Sequence, residues 1–269
     1  MPRGLLLVTG FVTAPSTTYT AWTMAAGDTL QVRNAREGSM AAILALWADN
    51  QAAGNLKIRS SLLHDNVEGV NAGVVASEVR PLFPLGAMQM LQPQDLLIAE
   101  QTGSATASDI ESGAMLQYYS DYPGADARLA TWDQIKGRIQ SFMYVRQNLA
   151  LGTAGGYSGE SAINATVDQW KATRDYALLG YLCSAECAAV GWRGPDTSNL
   201  RVGGPGNDAD NYLTQGWFME LSRKTGLPTI PIINAANKAA TLIDGVQDEN
   251  GTDVIVTSIF ALLSGPYSG

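Results

Sequence analysis

Residues 254–260 read Val-Ile-Val-Thr-Ser-Ile-Phe, a run of β-branched and aromatic residues with a single serine. Residues of this kind are enriched in strands, and the preceding Glu249-Asn250-Gly251 has the composition of a turn. The segment therefore predicts a strand over Asp253–Leu263. Much of the remaining chain follows the same pattern, because short apolar or alternating segments are separated by Gly, Pro, Asn and Asp.

This pattern predicts strands along the whole chain, starting close to the N-terminus. The first apolar run is too short for a secretory signal peptide and lacks a small-residue cleavage site, so we interpret it as a strand. The predicted strands before Asp253 are Gly4–Val12, Thr29–Ala35, Ala41–Ala48, Asn55–Leu62, Gly73–Val79, Leu82–Met90, Asp95–Gln101, Ala114–Tyr119, Ser141–Asn148, Tyr176–Leu182, Ala188–Arg193, Leu200–Val202 and Thr229–Asn234.

Two stretches favour a helix instead. After Thr131, a residue suited to capping a helix, apolar residues recur every three or four positions. They are Trp132, Ile135, Ile139, Phe142 and Met143. A similar pattern from Tyr212 to Leu221 ends at Lys224-Thr225-Gly226-Leu227-Pro228, which is typical of a helix C-terminus. Because the first pattern overlaps Ser141–Asn148, helix and strand both remain open for that segment.

The second half of the sequence is similar to the first. A displacement of about 135 residues aligns Ala42-Ile43-Leu44 with Ala177-Leu178-Leu179, and related matches continue to about Asp109. Beyond that point, an insertion of roughly nine residues in the second copy aligns Ala114–Tyr119 with Ser258–Leu263. The predicted fold is therefore all-β: two eight-stranded jelly-roll sandwiches in tandem, at residues 1–130 and 131–269, with a few short helices.

Charge and hydropathy restrict the function. The net charge is −8 and the pI is near 4.6, whereas a protein that grips nucleic acid carries clustered Lys and Arg. The apolar run Ala41–Ala48 is far too short to span a bilayer. Charged residues make up only 16% of the chain, which leaves surface that can be buried against neighbours without desolvating many ions.

A duplicated eight-stranded sandwich that is acidic, rich in glycine and without a catalytic motif resembles the double jelly-roll major capsid proteins of tailless bacteriophages and adenoviruses. The resemblance extends from Arg3 to Leu263 and is architectural. It implies a non-enzymatic viral structural protein, a major capsid protein that self-assembles into an icosahedral shell enclosing the genome. The assembly unit it implies is a trimer whose six sandwiches form a pseudo-hexagonal tile.

The resemblance also implies partners and a location. The expected partners are copies of the same chain, first as a homotrimer and then as a shell, together with other capsid or vertex proteins. An internal membrane is left open as a further partner, although only Arg3 precedes the first strand as a basic residue. No sequence-specific nucleic-acid binding is expected. The expected location is the virion, with the host cytoplasm as the place of assembly.

Candidate catalytic and cofactor groups are few, and we predict no catalytic, cofactor or metal site. His64 is the only histidine, and Gly156-Tyr157-Ser158-Gly159-Glu160 lacks the last glycine of a hydrolase nucleophile elbow. The glycine-rich segments Gly152–Gly159 and Gly203–Gly206 lack the Lys-Ser/Thr ending of a phosphate-binding loop, so we interpret them as loops.

Two other groups of residues are typical of metal or disulfide sites by residue type alone. Asp208 and Asp210 could offer oxygen ligands to Ca²⁺, but the segment lacks the glycine and distal glutamate of an EF-hand, and helix capping by Asp210 or Asn211 is favoured. Cys183 and Cys187 are four residues apart and are interpreted as small buried thiols on one face of one element.

Two alternative functions remain. A carbohydrate-binding or glycoside-cleaving jelly roll would need acids and aromatic side chains, such as Tyr118, Tyr119 and Tyr122, on one concave face. At strand spacing, such aromatics are more often core residues. A viral structural protein of another fold, a tail tube or a tailed-phage capsid subunit, is the second alternative. The tailed-phage capsid fold contains a long spine helix, and neither helical pattern here is long enough.

Overall fold

The structure is a computed structural model that describes residues 3–25, 27–33, 38–81, 83, 88–150, 154–163, 169–206, 211–246 and 253–268. The strands of the first half are β1 (Gly4–Thr13), β2 (Thr20–Ala21), β3 (Thr23–Met24), β4 (Ala41–Asp49), β5 (Gly54–Arg59), β6 (Val70–Val74), β7 (Gln89–Leu91), β8 (Ile98–Gln101) and β9 (Ile110–Tyr119). Those of the second half are β10 (Leu129–Ala130), β11 (Ile139–Leu149), β12 (Ser161–Ala162), β13 (Asp175–Cys183), β14 (Cys187–Arg193), β15 (Val202–Gly206), β16 (Ile230–Asn234), β17 (Leu242–Val246) and β18 (Val254–Leu263).

Each half forms two antiparallel sheets with the same strand order. In the first half, sheet 1A has the order β1-β9-β4-β7, with β3 added beside β1, and sheet 1B has the order β2-β8-β5-β6. In the second half, sheet 2A has the order β11-β18-β13-β16, with β10 added beside β16, and sheet 2B has the order β12-β17-β14-β15.

Leaving aside β3 and β10, each half has eight strands, which we number in chain order. The A sheets then have the order 1-8-3-6 and the B sheets the order 2-7-4-5. Two four-stranded sheets connected in this way form a jelly roll. The prediction of two eight-stranded jelly rolls in tandem is confirmed.

The four sheets lie in the order 1B, 1A, 2B, 2A. Val8, Ile43 and Leu56 belong to the core between sheets 1A and 1B. Leu7 and Leu116, on the other face of sheet 1A, share a second core with the residues of the second sandwich. Sheet 1A is therefore buried on both faces, which explains why β4 is a continuous apolar run rather than an alternating one.

Sheet 2A, at the end of the molecule opposite sheet 1B, is buried on one face only. Along β11, Met143, Val145, Gln147 and Leu149 are buried and the residues between them are exposed. This alternation is the pattern of a strand with one face in the core and one in solvent. It settles the ambiguity of residues 141–148, which form a strand.

A short helical segment precedes that strand. Helix α1 (Trp132–Ile135) is capped by Thr131, whose hydroxyl accepts from the backbone N–H of Gln134 while the Gln134 side chain accepts from the backbone N–H of Thr131. A 3₁₀ turn at Lys136–Arg138 follows. The helical spacing through Ile139 to Met143 was therefore misleading, because β11 pairs with β18 along its whole length.

The second helical pattern is confirmed as α2 (Asn211–Thr214) and α3 (Trp217–Thr225). Gly226 ends α3 with a φ of 71°, a left-handed conformation that suits glycine at a helix C-terminus. Two further 3₁₀ turns occupy Pro195–Thr197 and Ala235–Asn237.

The two halves have the same order of strands, but some of the residues that are equivalent differ from the predicted alignment. A β-bulge interrupts the pairing at Leu44 in β4 and at Leu179 in β13, which are 135 residues apart as predicted. The nine extra residues lie between the fifth and sixth strands, at 207–229 compared with 75–88, because the second loop carries α2 and α3. Beyond this loop, the matches predicted as far as Asp109 therefore join strands that are not equivalent.

Some predicted strands need correction. Within the described part of 29–35, only an isolated bridge at Gln31 forms. The strand predicted at Gly73–Val79 is Val70–Val74, and that predicted at Leu82–Met90 is Gln89–Leu91, with residues 82 and 84–87 outside the described part. Edge strands are short in this fold, so their sequences carry little periodicity.

Glycines permit the close approach of sheets 1A and 2B. A methyl group added at Gly203 would lie 2.7 Å from Leu7 Cδ2 and closer still to the carbonyl oxygen of Val190. The backbone N–H of Leu7 donates to the carbonyl oxygen of Arg201 at 2.7 Å, so the two sheets are also connected by their backbones. Only a residue without a side chain fits between these groups.

We therefore predict that Gly203→Ala lowers the free energy of unfolding by about 1–3 kcal/mol, the usual cost of overpacking a close-packed interior. The control is Gly73→Ala in β6, where an added methyl group has no neighbour within 4 Å. Urea unfolding of both variants measures the difference. Equal stability of the two variants would contradict the close packing of sheets 1A and 2B.

Candidate assembly surfaces

The surfaces that could carry an assembly function are the outer faces of the four sheets, and one pair of them already meets inside the chain. Where sheet 1A covers sheet 2B, the indole N–H of Trp47 donates to the carbonyl oxygen of Ala188 at 2.7 Å. The same indole packs edge-on against Trp217 of α3, with ring centroids 5.8 Å apart. This contact, which we name the internal junction, is mostly apolar and also contains specific polar bonds.

A buried ionic cluster lies at the internal junction. The Arg201 guanidinium, on the sheet 2B side, donates to both carboxylate oxygens of Asp244 at distances of 2.7–3.1 Å. It also lies 3.7 Å from the carboxylate of Asp28, which comes from the first sandwich. The three side chains are only 2–12% exposed, so the cation is needed to offset two buried negative charges.

Tyr157 and Thr9 complete this cluster. The Arg201 guanidinium lies over the Tyr157 ring, 3.5 Å from its centroid. The Tyr157 hydroxyl donates to Asp28 at 2.8 Å, and the backbone N–H of Thr9 donates to the same carboxylate at 2.7 Å. Burial raises the pKa of the Asp28 carboxyl, and the hydrogen bonds from Thr9 and Tyr157 and the charge of Arg201 oppose that rise. Burial also raises the pKa of Tyr157, so its hydroxyl stays protonated and donates.

The outer face of sheet 1B, at one end of the molecule, is polar. Glu100 of β8 accepts two hydrogen bonds from Arg59 at 2.8 Å, and the Lys57 ammonium lies 3.7 Å away. These cations lower the pKa of Glu100, Arg59 most strongly. The Lys57 ammonium also lies 4.0 Å above the Tyr19 ring, and Asn71 donates to the Tyr19 hydroxyl at 3.3 Å.

The outer face of sheet 2A, at the other end, exposes aromatic side chains. Phe142 is 57% exposed and Tyr144 is 62% exposed, and both point away from the core on β11. Arg146 and Asn148 continue this row, which we name the β11 row. Among the described residues β11 pairs in its sheet only with β18, so no described strand pairs with its other edge there. Exposed aromatics beside an unpaired edge mark a surface suited to association.

Two hollows were considered as ligand sites. The first, about 210 Å³, lies beside the ionic cluster and is lined by Arg33, Arg193 and Arg201 together with Asp28. The second, about 450 Å³, lies beside α3 and includes the 85%-exposed Tyr212. Among the described residues that line them, each hollow has one carboxylate, Asp28 in the first and Glu220 in the second.

The residues singled out from the sequence do not converge on one site. His64 is exposed in the loop between β5 and β6, and Ser158 is buried, where its hydroxyl accepts from the backbone N–H of Gly245. Asp208 and Asp210 lie outside the described residues. Tyr118, Tyr119 and Tyr122 are at most 9% exposed and belong to the cores. Tyr122 also lines the first hollow, but Tyr118 and Tyr119 do not, so the three do not converge on one groove.

The two cysteines are buried, as predicted, but not on one element. Cys183 ends β13 and Cys187 begins β14, so a turn separates them. No group of three or more His, Cys, Asp or Glu able to hold a metal is present in the described part of the chain.

Sequence reasoning missed the ionic cluster. Tyr157 falls in a glycine-rich segment interpreted as a loop. Arg201 lies within the strand predicted at Leu200–Val202, whereas β15 begins at Val202 and includes Gly203–Gly206, whose interpretation as a loop is wrong. The signal that could have found the cluster is Asp244, a single acid within the apolar segment Leu242–Val246. A charge in such a strand is buried only when it is paired.

Comparisons with known proteins add little. No family model matches the sequence, and no curated protein matches it significantly. Solved structures that match include the exported protein XepA of PBSX, at 11% identity over 96% of this chain and 86% of that one, with a TM-score of 0.27.

Two further matches are a chain of Sulfolobus turreted icosahedral virus and the major capsid protein P2 of bacteriophage PM2. The first has 8% identity over 99% of this chain and 81% of that one, with a TM-score of 0.27. The second has 10% identity over 97% and 98%, with a TM-score of 0.20. Scores this far below 0.5 give the likeness no weight, and the proposal below rests on the packing of this chain.

In the described residues, no helix has both the length and the apolar character that crossing a membrane requires.

We predict that Arg201→Met lowers the free energy of unfolding by about 3–5 kcal/mol, because it leaves Asp244 and Asp28 buried without their cation. The control is Arg223→Met in α3, whose partner Glu220 is exposed; its effect should stay within about 0.5 kcal/mol. Chemical denaturation at neutral pH measures both. A loss at Arg201 no larger than that at Arg223 would show that the cluster does not stabilise the internal junction.

Proposed function

We propose that this chain is a viral structural protein, a major capsid protein that assembles with copies of itself into an icosahedral shell around a genome. The observation that carries the proposal is the four-layer stack of two equivalent jelly rolls. The outer face of sheet 1A covers that of sheet 2B, while the outer faces of sheets 1B and 2A remain at the two ends of the molecule. Because the two end faces differ, the 2A face of one copy can pack against the 1B face of the next copy.

The unit of assembly we propose is a trimer. Contacts between different faces generate a ring when the rotation between copies closes, and an open filament when it does not. Three copies of a two-sandwich chain place six sandwiches around such a ring, the pseudo-hexagonal tile that the capsid resemblance implies. We propose residues 1–130 and 131–269 as its two domains. β10 lies at the end of the first range but belongs by its pairing with β16 to the second sandwich.

The proposal includes partners and location. The shell would also contain other capsid or vertex proteins, and the chain would be found in the virion and, during assembly, in the host cytoplasm. With a net charge of −8, the tile would enclose the genome without gripping it in a sequence-specific way. An internal membrane stays open as a further partner.

Glycoside cleavage is less well supported. Such enzymes use two carboxyl groups that flank the scissile bond. Glu220 and Asp28 belong to different hollows, and each is engaged within the chain, Glu220 by Arg223 and Asp28 by Thr9 and Tyr157. A function based on wide faces fits the described residues better than one based on a cleft.

The experiment is multi-angle light scattering of the purified protein over a range of concentrations, followed by negative-stain electron microscopy. We expect a trimer of three 28.5-kDa chains, or larger closed particles, with hexagonal outlines in the images. A monodisperse monomer of 28.5 kDa at every concentration would contradict the proposal.

A further inference from the structure

The two first strands of the sandwiches can be aligned residue by residue from their pairing. Directly after the bulge, Ala45 pairs with Leu116, and Leu116 pairs with Leu7. In the second sandwich, Gly180 pairs with Ile259, and Ile259 pairs with Tyr144. Leu7 and Tyr144 therefore hold equivalent positions on the outer faces of sheets 1A and 2A.

The environments of these equivalent residues differ sharply. Leu7 is completely buried against Gly203 of sheet 2B, whereas Tyr144 is 62% exposed. Two positions earlier, Leu5 is also completely buried and its equivalent, Phe142, is 57% exposed. The exposed residues Phe142 and Tyr144 of the β11 row thus hold the positions whose equivalents in sheet 1A, Leu5 and Leu7, cover sheet 2B.

The faces that these rows would cover are also equivalent. Beside sheet 2B, Tyr157 forms a β-bridge with Val246, which lies two residues after Asp244. In sheet 1B, the pairing of Thr20 with Gln101 places Tyr19 opposite Thr102, which lies two residues after Glu100. On both faces a tyrosine ring lies under a cation that also contacts the acid.

The two cations, Lys57 and Arg201, come from positions in the chain that are not equivalent. Lys57 comes from the strand that pairs with Glu100, whereas the strand that pairs with Asp244 has Gly191 at that position. A methyl group at Gly191 would lie 2.5 Å from Arg201 Cγ, so the arginine occupies the space above the glycine. Sheets 1B and 2B therefore present the same tyrosine–cation–acid arrangement on their outer faces.

We infer that the β11 row of one copy covers the outer face of sheet 1B of a neighbouring copy, in the register of the internal junction. In that register Tyr144 lies beside Asn71, as Leu7 lies beside Gly203. Asn71 and Gly203 are equivalent because Asn71 pairs with Lys57 and Gly203 pairs with Gly191. Arg146 takes the place of Thr9 and faces Tyr19 and Glu100. This inference rests on the proposed function and adds which faces meet and how they align.

The chemistry of the two faces fits this contact. Within the chain, the segment after β3 brings the acid Asp28, which accepts from Thr9 of β1, to the cation Arg201. Between copies, the β11 row brings the cation Arg146 to a face on which Glu100 is already paired with Arg59 and Lys57. The acid left for Arg146 there is the 59%-exposed Glu68, which lies 3.9 Å from the Lys57 ammonium. Phe142 and Tyr144 supply the large aromatic area that protein interfaces favour at their centres.

The test is chemical cross-linking of the full chain carrying Asn71→Cys and Tyr144→Cys together, with a short bis-maleimide as the probe. These positions lie on opposite end faces of the stack, so a link between them joins two copies. Both substituted residues are exposed or at a sheet surface, and the native Cys183 and Cys187 are 3% and 0% exposed, so the protein folds with only two reactive thiols.

We expect covalent species of two and three chains, with a ladder that stops at three where the ring closes. The matched control pairs Tyr144→Cys with Met90→Cys; Met90 is 47% exposed but lies on the junction side of sheet 1A, opposite Ala42. The control variant should give less than one tenth of the linked product.

The outcomes separate the inference from the proposed function. Trimers in light scattering without the Asn71–Tyr144 link, or with equal linking of the control, would overturn the inferred faces and leave the shell proposal standing. A protein that remains monomeric and unlinked at every concentration would overturn both.

Discussion

The burial of the outer face of sheet 2B beneath sheet 1A holds the two sandwiches of this chain together. Leu7 and Trp47 supply its apolar area, and Gly203 allows the backbones to approach. Arg201 then bridges Asp244 of one sandwich to Asp28 of the other, so the two jelly rolls are held in one relative position. Without this contact the chain would be two sandwiches on a linker, with a large apolar face of sheet 1A in water.

This packing makes the molecule directional. Because a face of type A covers a face of type B inside the chain, one end of the stack is a B face and the other is an A face. Pairing of like faces in a twofold dimer would leave the other end of each copy uncovered, whereas a ring in which A faces cover B faces covers both ends. The β11 row and the outer face of sheet 1B are therefore the parts of the chain on which the proposed assembly depends.

The sequence predicts the layers better than the contacts between them. Ala41–Ala48 is predicted as a strand because it is apolar throughout, and every residue of the strand that forms there is buried. The repeat of its Ala-Ile-Leu at Ala177-Leu178-Leu179 marks the duplication. The ionic cluster could not be predicted, since Arg201 and Asp28 are 173 positions apart and meet only because sheet 1A covers sheet 2B. The nine-residue insertion was misplaced because a helical loop preserves no strand periodicity by which to align it.

The measurement that tests this account most directly is an electron cryo-microscopy reconstruction of the assembled protein at side-chain resolution. We predict a ring in which every boundary between sandwiches, within a chain or between chains, places the outer face of an A sheet on that of a B sheet, with Tyr144 buried at the boundary between copies. A reconstruction in which sheet 2A packs against sheet 2A of a neighbour, or in which Tyr144 faces solvent, would contradict it.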